Sequence, residues 1–225
     1  MMQELPIFIG LLFGITVLIT IFMMYRATQS KKFLLSVVLW TLVQSALGIS
    51  GIYQKTDMMP PTLLIFGLFP AMVAIITVFF TKAGKQFIET IDLKIVTYSH
   101  TIRIPVEIVL TFLFHYGVMS VYITFEGTNF DILSGISAPI IAYISYRSMT
   151  VNHRVLLWWN VMCLLLLLNV VITAIFAIPS PVQKIAFDQP NIAVLYFPFN
   201  LLPTIVVPLV LFAHCVAIKR LKNVK

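Results

Sequence analysis

Seven apolar stretches run along the chain, at about 6–25, 33–53, 61–81, 95–118, 132–146, 155–178 and 193–218, separated by short polar gaps. A helix needs roughly 20 apolar residues to cross the ~30 Å hydrocarbon core of a bilayer. The fifth stretch is the shortest. The pattern predicts an all-α membrane protein, a seven-transmembrane helix bundle forming a single domain over residues 1–225, with no room for a soluble domain.

Charge turns this string of helices into a topology. The gaps alternate in basic residues: Arg26, Lys31 and Lys32; then Lys55; then Lys82, Lys85 and Lys94; then none; then Arg147 and Arg154; then Lys184; and finally Lys219, Arg220, Lys222 and Lys225. Basic residues are retained on the cytoplasmic side, so the N-terminus is expected outside and the C-terminus in the cytoplasm. Glu4 precedes the first stretch and the basic cluster follows it, the reverse of a cleavable signal peptide.

Composition agrees with a lipid solvent: 60% of residues are hydrophobic and 10% charged, against about 45–50% and 25% in soluble domains. The net charge of +7 flanks apolar stretches rather than forming a basic, aromatic-studded surface, so membrane lipids, not nucleic acid, are the expected partners. Cys163 and Cys215 both fall inside apolar stretches and read as buried thiols rather than a disulfide framework.

Prolines fall inside the stretches at Pro70, Pro105, Pro139, Pro198, Pro203 and Pro208. Each removes a backbone donor and frees a carbonyl one turn earlier, which must find a partner within the bundle. Stretches 1–3 and 5–7 also raise a three-plus-one-plus-three parallel repeat. Tyr25-Arg26 parallels Tyr146-Arg147, and Phe66-Gly67-Leu68-Phe69-Pro70 parallels Phe199-Asn200-Leu201-Leu202-Pro203.

The candidate chemistry centres on the fourth stretch, where His100, Arg103, Glu107 and His115 fall within one sector of a helix at ~100° per residue. Counting from residue 95 at ~1.5 Å per residue puts Glu107 roughly 18 Å deep, with Arg103 one turn shallower as its expected counter-charge. Ionised groups at that depth cost at least ~2.5–3.5 kcal/mol each, so they must face the bundle and pair. With Gln44, Asn160 and Asn169 they form either a substrate or proton pathway or a clamp between helices. His214 lies at a depth similar to His100, and the two could serve a cytoplasmic gate.

A second polar group lies toward the outer face: Glu126, Asn129 and Asp131 in the fourth gap, with Asp188, Gln189 and Asn191 in the sixth. It could receive a cation or a small polar solute, or be an ordinary loop surface, and the aromatic run 125–131 is suited to fold back onto the bundle. No spaced metal motif is present, so neither a metal nor a cofactor is assigned. Trp40, Trp158 and Trp159 read as interface anchors or core. A retinal Schiff base is excluded because the last stretch has no lysine before Lys219. Hydrolase, metalloprotease, nucleotide-loop and Cys-x-x-Cys motifs are missing, as is the paired histidine motif of ceramidase-type membrane hydrolases.

The set His100-x-x-Arg103-x-Pro105-Val106-Glu107, Thr124-Phe125-Glu126-Gly127-x-Asn129-Phe130-Asp131 and Phe187-Asp188-Gln189-Pro190-Asn191 resembles an uncharacterised family of bacterial seven-helix integral membrane proteins. The resemblance implies a multi-pass protein of the bacterial inner (plasma) membrane and carries no activity. The helix count is also similar to small sugar transporters of three-plus-one-plus-three topology, whose Pro-Gln signature is absent. The leading expectation is translocation of a small solute or proton through the polar site, with Glu107 as the working group. An intramembrane enzyme acting on a lipid-like substrate and a non-catalytic sensor or assembly partner are the alternatives.

Overall fold

The computed structural model describes residues 4–147 and 152–222, which form helices and turns with no strand. The long helices are α1 (Ile7–Thr28), α2 (Lys31–Ile49), α3 (Phe69–Phe80), α7 (Ile132–Arg147), α8 (His153–Ala177) and α9 (Val207–Lys222). Between α3 and α7 lie the shorter α4 (Lys82–Thr90), α5 (Leu93–Ser99) and α6 (Arg103–His115). Residues 7–28, 31–49, 153–177 and 202–222 are each long and apolar enough to cross a membrane. Residues 64–80 join them if counted with α4, from which they are bent by 88°.

Each apolar stretch is helical over most of its length, with breaks that hydropathy does not show. The fourth divides into α5, a 3-10 turn at His100–Ile102 and α6. Single π-turns precede α3 (Leu64–Leu68) and α9 (Leu202–Val206). Residues 193–200, read as the start of the last span, contain a 3-10 turn at Ala193–Leu195 and a second turn at 197–200 before the helix begins.

The gap at 82–94, expected as a connector, instead holds α4. The Thr81 hydroxyl caps its first turn by accepting from the Gly84 N–H at 3.2 Å. Ile88 is fully buried while Lys82, Lys85, Gln86 and Glu89 are exposed. A nine-residue amphipathic helix turned almost at right angles to its neighbour suits a membrane surface, one face in the interface and the other in water.

The carbonyls freed by two of the prolines find partners inside the bundle, as expected. Pro70 leaves Phe66 O without its donor, and Gln44 Nε2 of α2 donates to it at 2.9 Å. Pro208 does the same to Thr204 O, which accepts from Trp40 Nε1 at 3.1 Å. Each π-turn ends two residues before its proline, at Leu68 and Val206. The local correspondence therefore pairs Pro70 with Pro208, whereas the sequence comparison aligned Pro70 with Pro203.

α1 packs against the bundle along one face and exposes apolar residues such as Leu11, Ile15 and Leu18 on the other. Its buried residues Ile9, Phe13, Val17, Ile21, Met24 and Thr28 recur every three or four positions, the stripe a helix presents to neighbours along its length. The basic helix ends are gathered at one end of the bundle. There Asp92 N donates to Ala27 O at 2.9 Å, Arg220 of α9 donates to Ile91 O, and Phe33 of α2 packs on Phe87 of α4 with centroids 5.7 Å apart. At the opposite end Ala193 N donates to Val118 O at 3.0 Å and Phe8 of α1 meets Phe112 of α6 edge-on.

Candidate functional site

A buried polar chain links the loop before α7 to the interior of α6, α8 and α9. It starts at Glu107, a residue 5% exposed and one turn beyond Arg103 on α6. Glu107 Oε1 accepts from the Phe125 N–H at 2.5 Å and Oε2 from Asn129 Nδ2 at 2.8 Å. Both donors come from the aromatic loop 120–131, which folds back into the bundle. Its local turns hold that position: Asn129 Nδ2 also donates to Ile123 O at 2.9 Å, and Asn129 Oδ1 accepts from the Asp131 N–H at 2.9 Å.

Arg103 pairs with Asp131, not with Glu107. Its Nε lies 3.0 Å from Asp131 Oδ2, and both residues are buried. The expected pair one turn apart fails because Asp131 sits at the start of α7, directly against the first turn of α6. Gly135 allows this approach: a Cβ there would come within 3.1 Å of Arg103 Cβ and Ile104 Cγ1.

From Arg103 the chain continues inward. Arg103 Nη2 lies 2.8 Å from His214 Nε2, and His214 Nδ1 lies 2.8 Å from Asn160 Oδ1. A guanidinium only donates, so Nε2 accepts and the imidazole is neutral with its proton on Nδ1, directed at the Asn160 carbonyl. Asn160 Nδ2 then donates to Leu156 O at 2.8 Å, so the partners agree at every step. His100 stacks on His214 with centroids 4.0 Å apart and meets Trp159 at 5.5 Å and 67°.

Two groups in this cluster lack hydrogen-bond partners. Both ring nitrogens of the fully buried His100 are unpaired, and so is Arg103 Nη1. Unpaired buried donors cost roughly 1–3 kcal/mol each. A cavity of about 100 Å³ is lined by Arg103, Glu107, Asn129 and Asp131 on its polar side and by residues such as Leu64, Leu68, Val171 and Val206 elsewhere. By volume it has room for several water molecules or a small ligand group.

The remaining predicted residues are dispersed. Gln44 lies in a separate network, accepting from Tyr53 Oη at 2.5 Å through Oε1. Asn169 is on the exposed side of α8, where Nδ2 donates to Thr128 O at 3.2 Å. His115, expected on the buried face, is exposed at the end of α6, where it contacts Glu126 at 3.1 Å. The proposed outer polar group does not converge. Asn129 and Asp131 turn inward. Gln189 Nε2 donates to Phe114 O and Met119 O at 2.7 Å each, closing the end of α6. Asn191 Oδ1 accepts from Ser120 N at 2.9 Å, and Asp188 is exposed. Among the described residues, no three His, Cys, Asp or Glu side chains are placed to hold a metal ion.

The sequence reading missed Arg103's true partner and the orphaned nitrogens. The signal that could have found the first is the TFEGxNFD run itself, where an acidic residue follows an aromatic turn directly before an apolar helix. A family model described as a domain of unknown function (DUF8737) matches residues 59–222, most of the chain, and the chain belongs to that family. The matched region contains every member of the Glu107–Asn160 chain. No curated protein and no solved structure matches.

Proposed function

We propose that this member of the family is a multi-pass protein of the bacterial inner membrane, with seven spans, its N-terminus outside and its C-terminus in the cytoplasm, that moves a proton or small solute through the bundle. Support for the topology comes from the basic helix ends gathered at one end of the molecule, where anionic lipid and the cytoplasmic face would retain them. In this arrangement α5, the 3-10 turn and α6 make one interrupted span, and α4 lies along the cytoplasmic surface.

The observation that carries the functional reading is a set of charged side chains buried midway along the helices beside a cavity. Glu107 lies eight residues from the outer end of α6 and His214 eight residues from the last described residue of α9, each about 12 Å of helix rise. Ionisable residues at that depth mark substrate or proton routes more often than surface chemistry. Glu107, Asp131, His214 and His100 form a succession of titratable groups between the two ends. The loop 120–131 closes the outer side, since it provides Glu107's partners, and its withdrawal would open the site outward.

Glu107→Gln tests the reading. The amide keeps the shape and its oxygen can still accept from the Phe125 N–H, while its NH2 faces the Asn129 Nδ2 donor that Oε2 had answered, a loss of about 1–3 kcal/mol. Purified protein in liposomes carrying an internal pH dye is expected to pass protons under an imposed membrane potential, and the Gln variant to lose that flux while still melting in a single cooperative transition, lowered only by the unanswered Asn129 donor. Equal flux in both proteins, or none in the native protein, removes the proton pathway. The alternative, an intramembrane enzyme acting on a lipid-like substrate, has its own support in the apolar wall of the same cavity.

A further inference from the structure

We infer that the cavity beside Arg103 admits, from the side, the oxygen-bearing end of a neutral single-chain amphiphile whose tail stays in the bilayer. The inference rests on reading the Arg103–Glu107 cluster as a ligand site, and names the class of ligand it takes.

The walls give the first reason. Leu64 and Leu68 of the π-turn before α3, Val171 and Ala174 of α8, and Val207 of α9 line the cavity, and all are partly exposed. Their neighbours Phe66 and Ile172 are exposed outright, so the cavity lies beside the outer apolar surface, and an opening there meets acyl chains rather than water. A hydrated ion or sugar would have to shed its water against Leu and Val to pass it.

The polar end gives the second. Arg103 is 4% exposed and lines the cavity, yet its Nη1 has no partner. A buried guanidinium N–H lacking an acceptor is completed by a ligand oxygen, and a carbonyl or hydroxyl at the end of a chain supplies one.

Charge sets the class of head group. The Arg103 guanidinium is already balanced by Asp131 at 3.0 Å, and the nearest other ionisable group along α6 is an acid, Glu107, so a further anion finds no unpaired positive charge. Both Glu107 oxygens already accept hydrogen bonds, so no free carboxylate oxygen awaits a cationic head. A neutral alcohol, ester or carbonyl group remains. Size sets the rest: about 100 Å³ accommodates a head group and the first carbons, and the tail must lie along the open side.

The test uses the full-length protein in phosphatidylcholine nanodiscs and a hexadecanol probe with a photoreactive diazirine next to its oxygen-bearing end. Adducts are mapped by peptide mass spectrometry. They are expected within residues 64–68, 170–175 or 202–207, to be displaced by excess hexadecanol or methyl palmitate, and to persist with hexadecyl sulfate or hexadecyltrimethylammonium. Val171→Trp and, independently, Ala174→Phe fill the opening without touching the polar cluster, and each is expected to abolish the labelling with an unchanged melting temperature. Adducts spread evenly over the lipid-facing helices, equal displacement by the charged amphiphiles, or undiminished labelling in both variants overturns the inference. Labelling absent from the cavity while Glu107-dependent flux persists defeats this inference alone; cavity labelling without any flux defeats the transport reading alone.

Discussion

Two of the buried polar networks among the described residues differ in what they hold. The one around α2 is neutral: Trp40, Gln44, Tyr53, Asn200 and Thr204 join α2 to the two π-turns. Its donors go chiefly to main-chain oxygens, including the two that Pro70 and Pro208 deprive of a backbone N–H. The one around α6 is ionic, and its bonds run mostly between side chains from distant segments: Glu107 to Asn129, Arg103 to Asp131, Arg103 to His214 and His214 to Asn160. The neutral network leaves one carbonyl oxygen unpaired, Asn200 Oδ1, whereas the ionic one leaves a guanidinium nitrogen and a whole imidazole. A clamp needs only to be closed. An unpaired guanidinium nitrogen beside a cavity is a feature of the second network that the first lacks.

The sharpest way to break that comparison is to remove one charge. Asp131→Asn leaves Arg103 buried without its counter-ion, and loss of one partner from a buried pair costs about 3–5 kcal/mol. The melting temperature of the purified protein in detergent is expected to fall far more than for any single change in the neutral network. Replacing both residues together, Arg103→Leu with Asp131→Leu, removes the stranded charge and is expected to recover much of the loss, the non-additivity expected of groups in direct contact. An Asp131→Asn protein that melts no lower than Gln44→Ala would mean that the two networks are energetically alike.

The neutral network depends on close approach rather than charge. A Cβ on Gly67 would lie 2.5 Å from Thr204 Cγ2, so Gly67→Ala forces the π-turns apart. Overpacking of this kind costs about 1–3 kcal/mol. Thr204→Ser removes the offending methyl group and keeps the hydroxyl that donates to Asn200 O at 2.8 Å. Adding it to Gly67→Ala should therefore restore most of the thermal stability. Failure of that rescue would show that the contact between the turns is not what limits residue 67.

The helices were legible because each needs only a run of apolar residues, and such runs survive in any window of about 20. The same averaging hid α4, whose nine residues are half polar and carry no net hydrophobicity to detect, although the Phe87-Ile88 pair between Lys85 and Glu89 is its trace. The buried face of α6 was readable as far as Glu107 because periodicity within one helix is local. His115 was misplaced by the same rule, since periodicity gives direction and not whether a neighbour extends far enough to cover the helix end. Asp131 and Asn129 were visible as polar residues in a loop, but loop composition does not say how deep a loop descends. Arg103's partner was thus assigned to the nearest acid on its own helix when the fold brings in one from the next. The prolines were the most informative local signal, because the chemistry of a missing donor obliges some neighbour to answer it.

That obligation can be measured with the smallest change of all. Trp40→Phe keeps an aromatic ring in place and removes only the indole N–H that donates to Thr204 O. Hydrogen bonds between membrane helices average about 0.6 kcal/mol, so the expected loss of stability is of that order. In a Pro208→Ala background the chain regains an N–H one turn beyond Thr204, and the carbonyl no longer depends on α2. Trp40→Phe should then cost nothing measurable beyond what Pro208→Ala itself does, as read by a double-mutant cycle of melting temperatures. A cost that persists undiminished would assign Trp40's contribution to its ring against α9 rather than to the repair of the proline, and the neutral network would lose the feature that distinguishes it from ordinary packing.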